Sequence, residues 1–323
     1  MNPIKKYKSL YQNAVDINQQ LVLILGYKSH VSALRRATDL LWCWIKYKVT
    51  PIAYMEFEFY KLNKYARREY ITDALSNKIA HKLNSNNVIA IIGDKKATLD
   101  YYSSWIHRNW LYITSETTNE QIYDFVSMSN EYIVKPIDGS CGKGVVKSSG
   151  VDYLKSIREK NKKYVAEEII MNHEDLAVLN PSSLNTLRVN TCIDKNGKVH
   201  IFNISLRVGG KGNICDNLNN GGVMYPVDLE TGYVCSAGIG TSGKKFVFHP
   251  SSGIFMLGFK LPFFDKLKDY VINLTQVLPE ARYIGWDIAI TPNGFELLEA
   301  NSCPGVVAFQ INGGQKRKLL AWI

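Results

Sequence analysis

No CxxC pair occurs in this sequence; its six cysteines stand apart at positions 43, 141, 192, 215, 235 and 303. That scatter argues against a zinc ribbon or a dense disulfide framework and makes a reducing compartment the simpler expectation. The six histidines form no HExxH run, and no Ser-His-Asp or Cys-His arrangement can be recovered from spacing. Long apolar runs are missing too. The most apolar stretch, LLWCWIKYKVTPIAYMEF at 40–57, is broken by Lys46, Lys48, Pro51 and Glu56. It is too interrupted to span a bilayer, so packing against the protein's own body is expected, with an interfacial segment as the alternative. The opening MNPIKKYKSLYQNAVDINQQ lacks the apolar run and cleavage site of a secretory signal.

What is present is a globular composition. Residues of the AVILMFWYC set make up 46% of the 323, with 19 Tyr, 12 Phe and 6 Trp, which excludes general disorder and allows two or three compact lobes. Thirty-nine Lys and Arg against 29 Asp and Glu leave a formal charge of +10. Anionic partners are favoured: nucleotides, acidic glycans or a membrane surface. Nucleic acid is not expected, because no recognition module accompanies the charge.

Periodicity divides the chain into a mainly helical, aromatic-rich accessory region (1–80), a linker with a small lobe (81–180) and a large lobe (181–323). VIAIIG at 88–93 reads as a short buried strand before Lys95, and a helix is expected onward to Trp105. EYIVKP, KYVAEEII, TLRVNTCID and KVHIFNISLRV read as strands, VDYLKSIREKN and the span from Phe264 to Leu278 as helices, and KRKLLAWI as a helix or a docking tail. The sum is an α+β enzyme with two sheet-bearing lobes.

DGSCGKGV at 138–145 sets three glycines around Ser140 and Lys143. Backbone N–H groups of such a turn can cradle phosphate oxygens, with Gly142 and Gly144 supplying the freedom, although the order is not that of a Walker loop. An ordinary flexible hairpin is the competing reading. Lys135 and Lys95 follow apolar runs and can converge with Lys143 on phosphates, or each can be a surface lysine. Glu167 and Glu168 are adjacent in an extended run, so one can accept from a ribose hydroxyl while the other supports a lysine; two exposed acids are the alternative. Asn185, Arg188, Arg207, Asp216 and Asn217 cluster at strand ends and in a glycine-rich loop, fitting either a ligand cleft or a solvated edge. In that cleft the arginines would neutralise phosphoryl oxygens or orient a carboxylate. His249 in FHPSSG is a further candidate contact to substrate or phosphate.

GWDIAITPNGFELLEAN at 285–301 reads as a hairpin. Pro292 and Gly294 suit a three-residue loop, which pairs Thr291 with Phe295 and puts Asp287 opposite Glu299, with Asn301 farther along that face. Two close carboxylates repel unless protonated or bridged, and hard oxygen donors favour Mg²⁺ over zinc. A solvated acidic hairpin competes with the metal site, and Glu296 is an oddity on the apolar face.

The ordered set VKPIDGSCGKG, AEEII, NPSSLNTLRVNT, SLRVGGKGNICDN, NNGGVMYPVDLETG, GFKLPFF and GWDIAITPNGFELLEANSCPG resembles the ATP-grasp superfamily. The likeness is to its sugar-transfer-associated branch, found with bacterial surface-polysaccharide genes, and it spans roughly residues 40–312. It implies an ATP-grasp fold, two α/β lobes clasping ATP. Lys95 and Lys135 match the phosphate-side lysines, Ser140 to Gly144 the glycine-rich flap, and Glu168 to Ile170 the adenine and ribose segment. Asp287, Glu299 and Asn301 match the Mg²⁺ set, and Arg188 and Arg207 the phosphate and acceptor region. Cys141 and Cys303 stand where relatives use other residues, so no catalytic role is implied for them. The implied activity is a carboxylate-amine ligase working through an acylphosphate. It would join a small acid or amino acid to an amino sugar, or an amine to a uronic acid or glycan precursor, in the cytoplasm and with peripheral association to membrane-bound glycan machinery as an option. A sugar or small-molecule kinase and a non-catalytic nucleotide-binding assembly protein are the alternatives.

Overall fold

The computed structural model describes residues 30–139, 144–160, 162–210, 212, 216 and 221–323. Among the described residues, the helices α1 (His30–Tyr47), α2 (Pro51–Glu56), α3 (Lys64–Arg68) and α4 (Asp73–Leu83) come first. They bury Leu40, Tyr54, Phe59, Ile71 and Ile79 together with Phe202, Tyr283 and Phe309 from much later in the chain. Arg67 of α3 clamps Asp39 of α1 through two donors at 2.7 and 2.8 Å, the fork-to-fork geometry that favours arginine. The interrupted apolar stretch therefore splits its residues. Cys43, Val49 and Tyr54 are buried, whereas Leu41, Trp44 and Ile45 face outward. Among the described residues, no helix is long and apolar enough to cross a membrane.

VIAIIG is not a strand. It lies inside helix α5 (Asn86–Gly93), followed by α6 (Lys95–Tyr101). Ser85 caps α5 by accepting from the Val88 amide, and Asp94 caps α6 by accepting from the Ala97 amide, each supplying a partner for an otherwise orphaned helix N–H. Val88 and Ile92, four residues apart, join Leu99 and Tyr102 in the main core. Tertiary burial on one helical face thus overrides the β-branched preference of the run. Lys95 accordingly leaves from the first turn of a helix rather than from a strand end.

A small antiparallel sheet follows, built from β1 (Trp110–Ile113), β2 (Glu131–Pro136), β3 (Val146–Ser149) and β4 (Tyr164–Glu168) in the order β1-β4-β2-β3. Helices α7 (Asn119–Met128) and α8 (Asp152–Arg158) cover one face, meeting Tyr132, Val134 and Ala166. Because strand side chains alternate, Lys135 of β2 and Val165 and Glu167 of β4 point to the other face. Val165 there enters the core of the large lobe.

After α9 (Glu174–Ala177) the chain lays down β5 (Thr186–Ile193), β6 (Val199–Val208), β7 (Val223–Val227), β8 (Gly238–Ile239), β9 (Lys245–Phe246), α10 (Phe264–Gln276), β10 (Tyr283–Thr291), β11 (Gly294–Asn301) and α11 (Lys316–Leu320). Seven of these form an antiparallel sheet ordered β11-β10-β5-β6-β7-β8-β9. Leu267, Val271 and Leu274 of α10 are fully buried against Leu187, Val189, Ile204 and Trp286, each such side chain contributing about 1.5–3 kcal/mol. The opposite face of the central strands carries Arg188, Arg207 and Asp287. An apolar helix-covered face and a polar face on one sheet place the chemistry.

Candidate active site

The hairpin brings Asp287 opposite Glu299, but not by the expected turn. Thr291 pairs with Gly294, so the loop has two residues, and the register shifts by one at a bulge between Asp287 and Ile288. Leu298 is the extra residue. The turn alone would have set Glu299 one place out of register; the bulge restores the opposition. The same shift puts Leu297 on the core face, opposite Ile288, and sends Glu296 to the side of Asp287.

Arginines surround Asp287. Arg188 donates from Nε to Oδ1 at 2.5 Å and from Nη2 to Oδ2 at 3.0 Å, while Arg207 Nη1 lies 3.1 Å from Oδ2. Burial opposes ionisation of Asp287, yet the two guanidiniums outweigh it and hold the carboxyl below its ordinary range. Arg207 also donates from Nη2 to Asp216 Oδ1 at 2.9 Å. The other Asp216 oxygen takes the Thr186 amide and hydroxyl, so Asp216 braces Arg207 instead of standing free as an acid or base. Glu299 is pushed upward, first by burial and then by the charge of Asp287, with Lys95 and Lys135 acting against the rise.

Lys135 and Lys95 line a cleft together with Val165, Glu167, Leu298 and Glu299. Lys95 Nζ donates to the carbonyls of Ile137 and Gly139 at 3.0 and 2.6 Å, at the edge of the glycine-rich turn. Ser140, Gly142 and Lys143 of that turn, and Asn217 beyond Asp216, lie outside the described residues; Gly144, at φ +76°, is described. Lys135 pairs with one oxygen of Glu167, and Arg108 donates to the other from Nη2 at 2.7 Å and Nε at 3.1 Å. Burial again works against the charge, but Arg108 and Lys135 hold Glu167 down at about 2. Glu167 thus supports a lysine, one of the two roles open to it from sequence.

Several expected members stand apart. Glu168 accepts from the amide and side chain of Asn109 at 3.0 and 2.9 Å and, with Ile170 and Met171, lines a second opening at the hairpin tip. Asn185 requires correction as a substrate-side residue. It is fully buried, and its carboxamide donates to the carbonyls of Leu176 and Asn180 while accepting from the Gly209 amide, so it braces a loop. His249 is likewise buried, with Nδ1 on Ser252 Oγ, and burial depresses its pKa.

Two residues were not singled out from sequence as members of a site. Glu296 is only 4% exposed; it accepts from the His107 amide at 3.0 Å and from Arg108 Nη1 at 2.8 Å. Its sequence signal was an acid among the apolar residues of FELLE. Arg108 carried none, because its partners are remote in the chain.

Among the described residues, no group of three His, Cys, Asp or Glu side chains forms a metal cluster. The set here is two carboxylates and a carboxamide. It fits Mg²⁺ by donor chemistry: all are hard oxygens, and the two acids stand opposite each other on one hairpin. Asn301, on the same face as Glu299, makes a long 3.4 Å contact to the Gly285 carbonyl through its amide nitrogen; its side-chain oxygen is the donor that a cation would take.

Solved structures with similar chains include N5-carboxyaminoimidazole synthetase from Staphylococcus aureus complexed with ADP, at 13% identity over 73% of this chain and 52% of that one, TM-score 0.44. Another is ATP-grasp ligase PsnB complexed with minimal precursor, Mg and ADP, at 14% over 72% and 58%, TM-score 0.42. D-alanyl-alanine synthetase A from Vibrio cholerae gives 14% over 72% and 60%, TM-score 0.43. The chain thus spans little more than half the length of such proteins. No curated protein matches it significantly. The family model for sugar-transfer associated ATP-grasp proteins matches residues 147–321, more than half of the sequence and inclusive of Glu167, Arg188, Arg207, Asp287, Glu299 and Asn301. The chain belongs to the sugar-transfer associated ATP-grasp family.

Proposed function

We propose that this protein is an ATP-dependent carboxylate-amine ligase acting on a sugar or surface-glycan precursor. The observation that carries the reading is one cleft in which Lys95 and Lys135 share the lining with Glu299, whose strand partner Asp287 is held by Arg188 and Arg207. Lysines on one wall and paired oxygen donors on the other suit a polyphosphate. Mg²⁺ held by Asp287, Glu299 and Asn301 would neutralise phosphate oxygens.

In the proposed reaction a substrate carboxylate oxygen attacks the γ-phosphorus of ATP, ADP leaves, and an amine then displaces phosphate to form an amide. Arg188 and Arg207, fixed by Asp287 and Asp216, present positive charge at a preorganised place as charge develops, and Lys135 does so from the small lobe. No side-chain nucleophile is required. The sugar or glycan partner is supported by the sugar-transfer association of the family. The unpaired thiols of Cys43, Cys192, Cys235 and Cys303 suit a cytoplasmic, reducing setting. The outward Leu41, Trp44 and Ile45 of α1 offer a surface for peripheral association with glycan machinery.

The test is incubation with ATP, Mg²⁺ and panels of amino acids, amino sugars and uronic acids, followed by mass spectrometry. An amide accompanied by ADP and inorganic phosphate is expected. Phosphate retained on the acceptor would instead identify a kinase.

A further inference from the structure

We infer that Arg108 is a positioning residue that locks the lysine-bearing wall of the nucleotide cleft to the bulged carboxylate hairpin, so that both act on one nucleotide. This rests on the cleft being a nucleotide site.

Arg108 lies between the helical region and β1, where the chain crosses from one lobe into the other. It is 7% exposed, and its guanidinium reaches both lobes at once. Toward the small lobe it donates to Glu167, whose other oxygen holds the Lys135 ammonium. Toward the large lobe it donates from Nη1 to Glu296 Oε1 at 2.8 Å and to the Leu297 carbonyl at 2.6 Å, with a longer 3.4 Å contact from Nη2 to the Leu298 carbonyl. Leu298 is the extra residue of the bulge that sets Glu299 opposite Asp287, and Leu297 immediately precedes it. Glu296 reinforces the crossing by accepting from the backbone amides of His107 and Arg108.

Charges therefore alternate from hairpin to cleft: Glu296, Arg108, Glu167, Lys135. A planar fork with five donors can serve carboxylates on two elements and backbone carbonyls together; the three donors of one ammonium cannot span that arrangement. Arg108 borders the second opening beside Glu168 and Ile170 but does not line the lysine cleft; there its effect passes through Lys135 and through the bulge. Without it, Lys135 would be drawn to an otherwise unpartnered buried carboxylate and the bulge would lose its side-chain contacts.

Titration calorimetry with ATP and MgCl₂ on the full chain tests this, using Arg108→Met, Arg108→Lys, Glu167→Gln and the Arg108→Met/Glu167→Gln double variant. Arg108→Met should weaken ATP binding at least tenfold. The loss in the double variant should fall well short of the product of the single losses, because both changes act through the same lysine. Arg108→Lys, which keeps the charge in a foldable protein, should recover part of the ATP affinity while needing more Mg²⁺ for half-maximal binding. ATP affinity within twofold of wild type in both Arg108 variants, or losses that simply multiply, would overturn the inference alone. Absence of ATP binding by the wild-type protein would overturn the nucleotide site and the inference together.

Discussion

Replacing Glu167 with glutamine tests the charge chain through a pH dependence whose sign is dictated by the structure. Glu167 is buried, yet Arg108 and Lys135 hold its carboxyl at about 2, against an ordinary 4.5. At 1.36 kcal/mol per unit, that displacement corresponds to about 3 kcal/mol of folding stability. The contribution is fully present above the unfolded-state pKa and disappears as pH falls through the folded value, because a depressed carboxyl pKa favours the folded state only while the group is ionised. Glu167→Gln keeps the shape and removes the charge, so it should be about 3 kcal/mol less stable than wild type at pH 7. The gap should shrink from pH 4.5 downward and nearly close near pH 2. Urea unfolding of both proteins between pH 7 and pH 2.5 measures it, and acids common to the two cancel in the difference. A gap that stays constant with pH would refute the reasoning, since steric misfit rather than charge would then explain the loss.

Arg207→Lys should cost about 2–3 kcal/mol in urea unfolding, because one ammonium cannot replace the fork joining Asp216 to Asp287; it should also weaken Mg²⁺-dependent ATP binding in calorimetry. Gly232→Ala should lower the melting temperature by several degrees, about 2 kcal/mol or more: the glycine has φ +76°, and an added Cβ would sit 2.2 Å from the Phe264 ring. Trp286→Ala should cost about 3–5 kcal/mol in chemical denaturation, since a fully buried ring is lost along with its 2.9 Å bond to Thr191.

Legibility followed the range of the interactions. Alternation in EYIVKP and KYVAEEII was enough to mark both runs as strands and to send Glu167 and Glu168 to opposite faces, because period-two geometry is local. The opposition of Asp287 and Glu299 was also legible, though through the wrong device: a three-residue loop and a two-residue loop with a bulge carry the same residue count between the two acids. Asn185 looked like a ligand residue because a buried carboxamide and a substrate-binding one have the same neighbours in sequence. Only its bonds to Leu176, Asn180 and Gly209 distinguish them.

By itself, then, the sequence determined the order of the motifs, the acid pair and the family, all of which rest on local spacing and on ordered motifs. Tertiary structure decided the rest. It made VIAIIG a helix, because a core was available for Val88 and Ile92 between two capped ends. It also turned Glu296 from an anomaly into the anchor of Arg108, a contact across 188 positions of chain. A buried charge acquires its meaning from the partner that meets it, and that partner is chosen by the fold.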